Sequence, residues 1–494
     1  MSSYLPCLRA IVFACGCFLA VARLPAQIVN LDDEAPPEPP VAGAAEFSND
    51  APPHVDGATA QPHEFGDPEM IGPGGLSGAR AALEYDGDEG CVVSDSCSGG
   101  CRVGSRPACA ARCQCPTCRL KAVWTDPYNR VLPQSGPIRI RGWIDGGILG
   151  NTSNPDSHFN GPYNATEVDN GQLNQLYLIA DRPMAADGSW TYGGRFDLLY
   201  GGDYNLAQST GLEADINGTP RWNSNQFIGL ALPQAYAEIG TKYTSVKGGH
   251  FYTVVGYEGV QSPTNFFYSH AYSYMFAGPF TNWGGMFNAT RGNWQLQAGI
   301  VNGWNNLVQQ QNHGNFLGNL RYTGKAGWTS LAVITGDEFS NPGNLPNVVN
   351  AYTNRTRYSF IVDLQPTSRL EYVFHQWLGS QAQGAPGGGT ALWYGIDQYV
   401  YYKLADTVRL GTRIEWFRDQ SGTRVGLTEQ SNPNKVPLPG NFTSWTWGIN
   451  WTPYQNVMLR PEIRWDSYRG PAKPFDDGLR TYQFLIGMDA IVQF

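Results

Sequence analysis

A chain of 494 residues, with 15% charged and 13% aromatic side chains and a mean hydropathy of −0.34, is long enough for one large domain and too polar for a bundle of membrane helices. No apolar run of 18 residues or more follows the N-terminus, so any membrane crossing has to be made by strands, whose hydropathy signal is weak. Most of the formal net charge of −9 falls before residue 90, which leaves the remainder near neutral and without a basic groove for nucleic acid.

Arg9 precedes the apolar stretch 10–22, and small residues stand at Ala20, Ala22 and Ala26, so residues 1–26 are predicted to be an export signal. Cys15 and Cys17 sit in a context that fits a lipid-attachment box poorly. From Asp32 to Glu89 there are fourteen Asp and Glu against Arg80 alone, among many Pro and Gly. Such a composition cannot bury a core, and 27–90 is predicted to be a disordered acidic linker. Residues 91–122 hold Cys91, Cys97, Cys101, Cys109, Cys113, Cys115 and Cys118. They read as a disulfide-stapled knob or as a metal site on Cys97, Cys101, Cys115 and Cys118, and export into an oxidising compartment favours the disulfides. No metal or other cofactor is therefore expected, and the odd thiol is free to join a periplasmic or cell-wall partner.

From Ile138 onward the pattern changes to alternation with a period of two. Ile138, Ile140, Ile144 and Ile148 share one face, and Arg139, Arg141 and Asp145 share the other. Val408, Leu410, Ile414 and Trp416 alternate with Arg409, Arg413 and Glu415; Val457, Leu459, Ile463 and Trp465 alternate with Arg460, Glu462, Arg464 and Asp466. At the end of the chain Tyr482, Phe484, Ile486, Met488, Ala490, Val492 and Phe494 oppose Gln483, Asp489 and Gln493. A face carrying Arg and Glu at alternate positions cannot be a dry core, so the charged side is wet and the apolar side meets lipid.

Short connections near 240–242, 291–293, 324–326, 365–367, 405–406 and 452–454 alternate with long ones at 150–171, 202–224, 256–282, 305–315, 337–354, 380–390, 419–441 and 468–479. Between them lie sixteen predicted strands: 138–149, 172–182, 189–201, 225–239, 243–255, 283–290, 293–304, 316–323, 327–336, 355–364, 368–379, 391–404, 407–418, 442–452, 455–467 and 480–494. The predicted fold is all-β, a transmembrane antiparallel up-and-down barrel over 137–494 with both termini on the periplasmic side. Pro233 interrupts the fourth strand and leaves the count open by two.

Sixteen strands enclose a lumen wide enough for water and small hydrophilic solutes or ions. The inward faces place Arg139, Arg141, Asp145, Arg195, Asp197, Arg409, Arg413, Glu415, Arg460, Glu462, Arg464 and Asp466 along it. Most are expected to be wall struts, and a few near the narrowest point to tune selectivity. The third long loop, 256–282, is too aromatic for a solvated segment and is expected to fold inward. Its candidate constriction residues are Tyr257, Glu258, Asn265, Tyr268, His270 and Tyr272, a strand pair at about 270–290 being the alternative.

Several blocks carry a family resemblance. They are Gly-Trp-Ile-Asp-Gly-Gly-Ile-Leu-Gly-Asn at 142–151, His158-Phe159-Asn160-Gly161-Pro162, Asn174-Gln175-Leu176-Tyr177-Leu178, Phe196-Asp197-Leu198-Leu199-Tyr200-Gly201, Leu232-Pro233-Gln234-Ala235-Tyr236, Gly249-His250-Phe251-Tyr252-Thr253 and Asn265-Phe266-Phe267-Tyr268-Ser269-His270. Over about 137–494 the chain resembles the β-barrel porin-2 family. The resemblance implies an outer-membrane barrel acting as a porin, and supplies no catalytic residue and no defined solute. Outer-membrane lipid is the expected surrounding of such a barrel, and the sequence leaves its oligomeric state open, a homotrimer being one arrangement. A barrel hydrolase would need a Ser-His pair with an orienting acid, and Ser269 and His270 are adjacent, so in an extended segment they point apart. The competing role is structural: a barrel that ties a periplasmic or cell-wall partner through the cysteine segment.

Overall fold

The computed structural model describes residues 136–494 apart from 163–169, 186–187, 217–218, 224–226, 310–312, 341–350 and 427–436. The predicted export signal, acidic linker and cysteine segment lie outside the described residues.

Sixteen antiparallel strands close into one barrel, each pairing with its neighbours in chain order. They are β1 (Arg139–Asn151), β2 (Gln172–Arg182), β3 (Thr191–Gly201), β4 (Gly229–Gly240), β5 (Thr244–Tyr252), β6 (Thr281–Arg291), β7 (Trp294–Val301) and β8 (Asn315–Gly324). The second half comprises β9 (Gly327–Ser340), β10 (Ala351–Leu364), β11 (Leu370–Gln381), β12 (Ala391–Ala405), β13 (Val408–Asp419), β14 (Gly440–Tyr454), β15 (Val457–Arg469) and β16 (Tyr482–Gln493). The predicted strand count holds, and Pro233 is accommodated by a shift of register between β3 and β4 rather than by ending a strand.

β1 and β16 form the seam, with Trp143 opposite Gln493. At its end the Gly142 N–H donates to the Phe494 carbonyl at 3.0 Å and the Phe494 N–H donates back to the Gly142 carbonyl at 2.9 Å. A Cβ at Gly142 would stand 2.1 Å from the Tyr177 carbonyl and 2.9 Å from the Phe494 ring, so only glycine lets the chain end seat there.

The alternation seen in the sequence becomes a division of the wall. Ile138, Ile140, Ile144, Ile148, Ile486, Met488 and Val492 are exposed on the outside, while Asp145, Gln483, Asp489 and Gln493 are buried. The outer band continues through Trp416, Trp445, Trp447, Trp451 and Trp465. An apolar surface this continuous is a lipid-facing one.

The wall is uneven in height. β12 and β14 are 15 residues long, whereas β5 has 9 and β7 has 8. At about 3.3 Å per residue the strands run from roughly 50 Å down to roughly 26 Å. The upper outer side of the short wall is roofed by the second long loop. Ser209 Oγ lies 3.0 Å from His250 Nε2 and 2.9 Å from Thr281 Oγ1, and Glu213 accepts the Leu232 N–H at 2.8 Å.

Strand ends account for most differences from the sequence reading. β9 and β10 extend past the predicted 336 and 355, to Ser340 and from Ala351, because Glu338 is not a loop acid. It is buried in the wall and accepts from the Trp304 N–H and Asn315 Nδ2. β5 ends at Tyr252 and β6 begins at Thr281, so the third long connection is 253–280; it contains a 3-10 turn (Ser262–Thr264), one short α-helix, α1 (Tyr272–Phe276), and no strand pair.

Candidate functional site

The site is the barrel interior and the loop that occupies it. Every residue of 253–280 is buried, which for a connection between two strands requires that it lie inside rather than above the barrel. A buried loop has backbone N–H and C=O groups that no ladder satisfies, and the charged inner wall supplies their partners.

Anions of the wall take the loop's N–H groups. Glu415 accepts from the Tyr272 N–H at 2.8 Å and the Ser273 N–H at 2.6 Å, and Glu462 accepts from the Ser269 N–H at 3.1 Å. Cations take its carbonyls. Arg413 Nη1 donates to the Ser269 carbonyl at 2.7 Å, Arg464 Nη1 to that of His270, and Arg460 Nη1 to those of Ser262 and Asn265, both at 2.8 Å. Arg460 is also paired with Asp489, and Arg464 with Asp466 at 2.8 Å. Asp145 accepts from Ser262 Oγ at 2.5 Å.

Within the loop Glu258 is the central group. Its Oε1 meets Arg413 Nη1 at 2.7 Å and the Tyr399 hydroxyl at 3.1 Å; its Oε2 accepts the Ala271 N–H at 2.9 Å and faces His270 Nδ1 at 3.3 Å. Burial alone would lift this carboxyl, but Arg413 and His270 outweigh it and hold it at about 2. Asn265 braces the loop internally by accepting the Gly259 N–H at 2.8 Å. His270 stacks on Tyr274 with ring centres 4.1 Å apart, and Tyr257 lies against Tyr399 at 4.7 Å. Tyr272 packs on Phe442 and beneath Arg464.

Glycines in the strands make room for this packing. A Cβ at Gly411 would come within 2.3 Å of the Phe266 ring, one at Gly147 within 2.8 Å of Tyr268, and one at Gly448 within 3.1 Å of Phe267. These three inward glycines are sockets for loop aromatics, a signal that the sequence reading passed over because glycine in a strand reads only as weak propensity.

The structure thus brings Asp145, Arg413, Glu415, Arg460, Glu462, Arg464 and Asp466 together with Glu258, Asn265, Tyr268, His270 and Tyr272. The other candidates stand at the margin of this clasp or outside it: Asp197 accepts from Gln261 Nε2 of the loop at 3.4 Å, and the Arg409 guanidinium lies 5.9 Å from the centre of the Phe266 ring. Arg139 and Arg141 both pair with Asp181. Arg195 pairs with Asp197, which also accepts from the Tyr177 hydroxyl at 2.6 Å, and Arg409 pairs with Glu371 at 2.8 Å.

Two groupings were not read from the sequence. In the first, Ser359 Oγ lies 2.9 Å from His375 Nε2, His375 Nδ1 lies 2.7 Å from Asp397 Oδ2, and Asp397 Oδ2 also accepts from Ser273 Oγ of the loop at 2.6 Å. The order is that of a hydrolase triad, yet Ser359 is fully buried and lies mid-strand with its backbone paired on both sides. Closed off in this way, the chain orients His375 and anchors α1 through Ser273. The second grouping is a row of uncharged side chains on β5–β8. Ser245, Asn288, Gln297 and Asn319 stand opposite one another in register across four strands. Among the described residues no cluster of three or more His, Cys, Asp or Glu is placed to hold a metal ion.

A family model described as "Putative beta-barrel porin-2, OmpL-like" matches residues 137–494. No curated protein matches the chain. Among solved structures it is similar to the outer-membrane expressed OmpT of Vibrio cholerae, with 7% identity, 73% of this chain and 99% of that one covered, and a TM-score of 0.47. The anion-selective porin from Comamonas acidovorans gives 8% identity, 72% and 99% coverage and 0.45. The outer membrane channel DcaP of Acinetobacter baumannii gives 14% identity, 72% and 97% coverage and 0.46.

Proposed function

The chain belongs to the β-barrel porin-2, OmpL-like family, and on that premise we propose that this outer-membrane barrel is a diffusion channel for small hydrophilic solutes or ions, narrowed by its third long loop. The observation that carries the reading is the clasp: a loop buried along its whole length and tied by both signs of charge to the inward faces of β12–β16 and β1. A loop held at so many points is a fixed constriction rather than a mobile lid. The paired arginines and carboxylates act chiefly as struts that hold it, and no catalytic step is assigned to any of them. The purified protein should give stepwise ion conductance in planar bilayers. A correctly folded barrel that stays silent would overturn the channel reading.

A structural barrel is the second reading, and burial of the charged groups that clasp the loop, Asp145, Arg413, Glu415, Arg460, Glu462 and Arg464, favours it. Removing residues 27–122 separates the two: a channel keeps its conductance, whereas an anchor loses its periplasmic or cell-wall attachment.

We also propose that the barrel assembles as a homotrimer through its short wall. Strands of 8 or 9 residues tilted by about 40° rise roughly 20–23 Å, less than the apolar band of about 25 Å that lipid-facing strands cover. On that wall Ala237, Gly248, Gly285 and Ile300 follow one another in outward register, and a Cβ at Gly248 or Gly285 would meet nothing. A second copy fits this shallow face better than lipid tails do.

A further inference from the structure

The lumen is not filled evenly. The clasped half is dry, but Asn288, Gln295 and Gln297 on β6 and β7 remain partly exposed on the inward register. Here the wall carries amides instead of paired ions. Asn319 Nδ2 donates to Gln297 Oε1 at 3.1 Å, Gln297 Nε2 to Asn288 Oδ1 at 3.1 Å, and Asn288 Nδ2 to Ser245 Oγ at 3.2 Å. Ser245 Oγ in turn donates to Glu238 Oε1 of β4. All these bonds point the same way, so the carboxylate at one end polarises the whole row.

The row keeps hydrogen-bonding capacity in reserve. A primary amide has two N–H donors and two lone pairs on its oxygen, and Gln297 uses one N–H and one lone pair within the row. Asn319 Oδ1 has no hydrogen-bond partner but is closed to solvent, so the capacity open to the lumen is that of the part-exposed Asn288 and Gln297. The nearby cations are turned to aromatic faces: Lys247 Nζ lies 4.7 Å from the centres of the Tyr236 and Phe251 rings, and the Arg321 guanidinium 4.0 Å from that of Trp328.

We propose that the part-exposed amides of Asn288 and Gln297, held in the row Ser245–Asn288–Gln297–Asn319, are the solute-contacting surface of the lumen and that they favour uncharged polyhydroxylated solutes, the class of small sugars. A hydroxyl donates and accepts as the spare amide groups do. Neighbouring strands are about 4.8 Å apart, close to the separation of hydroxyls across a six-membered sugar ring. The row itself carries no formal charge, and the carboxylate at its end, Glu238, already accepts from Ser245 Oγ and Asn288 Nδ2. The inference rests on the channel reading and adds its substrate class.

Liposome swelling with the full-length protein tests it, comparing a neutral disaccharide with a polyethylene glycol of equal hydrodynamic radius, whose ether oxygens only accept. The disaccharide should enter at least threefold faster. Gln297→Met combined with Asn288→Leu should bring the ratio to about one, and Leu296→Ala, facing outward on the same strand, should leave it intact. Gln297→Glu, which preserves size, keeps the test available should the apolar pair fail to fold; it should lower the ratio and shift the reversal potential toward cations. Equal entry of both solutes into wild-type liposomes, or a ratio that survives these variants, overturns the inference while leaving a conducting channel. A barrel that inserts but passes neither ions nor solutes overturns the channel reading and this inference together.

Discussion

The tall half of the wall, β9–β16 with β1–β3, which holds the loop, and the short half, β4–β8, so called for its two shortest strands β5 and β7, obey the same inward-outward alternation and put it to different uses. In the tall half the inward residues are Arg, Asp and Glu, and nearly all are spent on the loop or on each other. In the short half Ser245, Asn288, Gln297 and Asn319 are bonded to one another beside Glu238, Lys247 and Arg321, and Asn288 and Gln297 remain partly open to water. The difference shows that a charged inward face identifies a wet surface in the sequence but not a solute path in the fold. A buried loop with unsatisfied backbone groups competes for the same charges, and at close range it takes them.

Removing the tall half's grip should have the largest effect. Arg413→Ala leaves Glu258 buried without its cation and the Ser269 carbonyl without its donor, a loss of about 3–5 kcal/mol. Single-channel conductance should rise at least twofold as the loop leaves the wall, and an unchanged value would show that the loop is held without this residue. Gly411→Val crowds Phe266 and should cost about 1–3 kcal/mol. The same recording should show a smaller rise than for Arg413→Ala. Gly285→Trp fills the outer face of the short half and should convert trimers to monomers, measured by light scattering in detergent, with conductance per barrel retained. The smallest effect is expected from Arg139→Ala. Its partner Asp181 keeps Arg141, and a part-exposed pair contributes under about 1 kcal/mol, so thermal unfolding in detergent should hardly shift.

The barrel was largely legible because alternation is a local property. Ile138 to Ile148 and Tyr482 to Val492 declare their faces without reference to any other strand. The loop, too, announced itself through its aromatic residues. What could not be read was which groups meet, because that depends on register between strands far apart in the chain. Glu258 and Arg413 are 155 residues apart, and His375 and Asp397 meet only because β11 and β12 pair in one particular alignment. The amide row escaped notice for a different reason. Attention to charge favours Arg and Glu, and the four uncharged residues Ser245, Asn288, Gln297 and Asn319 carry no local mark of belonging together. Glu338 shows the same limit at a strand end, where an acid beside Asp337 reads as loop until its partners are known.

The seam between β1 and β16 has a consequence for how the molecule is made. Its first and last strands must find each other, so the ring stays open until β16 is available to pair with β1. The loop is emitted long before its anchors: His270 and Arg464 are separated by 194 positions, and Ser262 and Arg460 by 198. Contacts this distant in the chain form slowly and late. The loop can therefore be secured only when β15 has arrived to hold it, one strand before the ends of the sheet can meet.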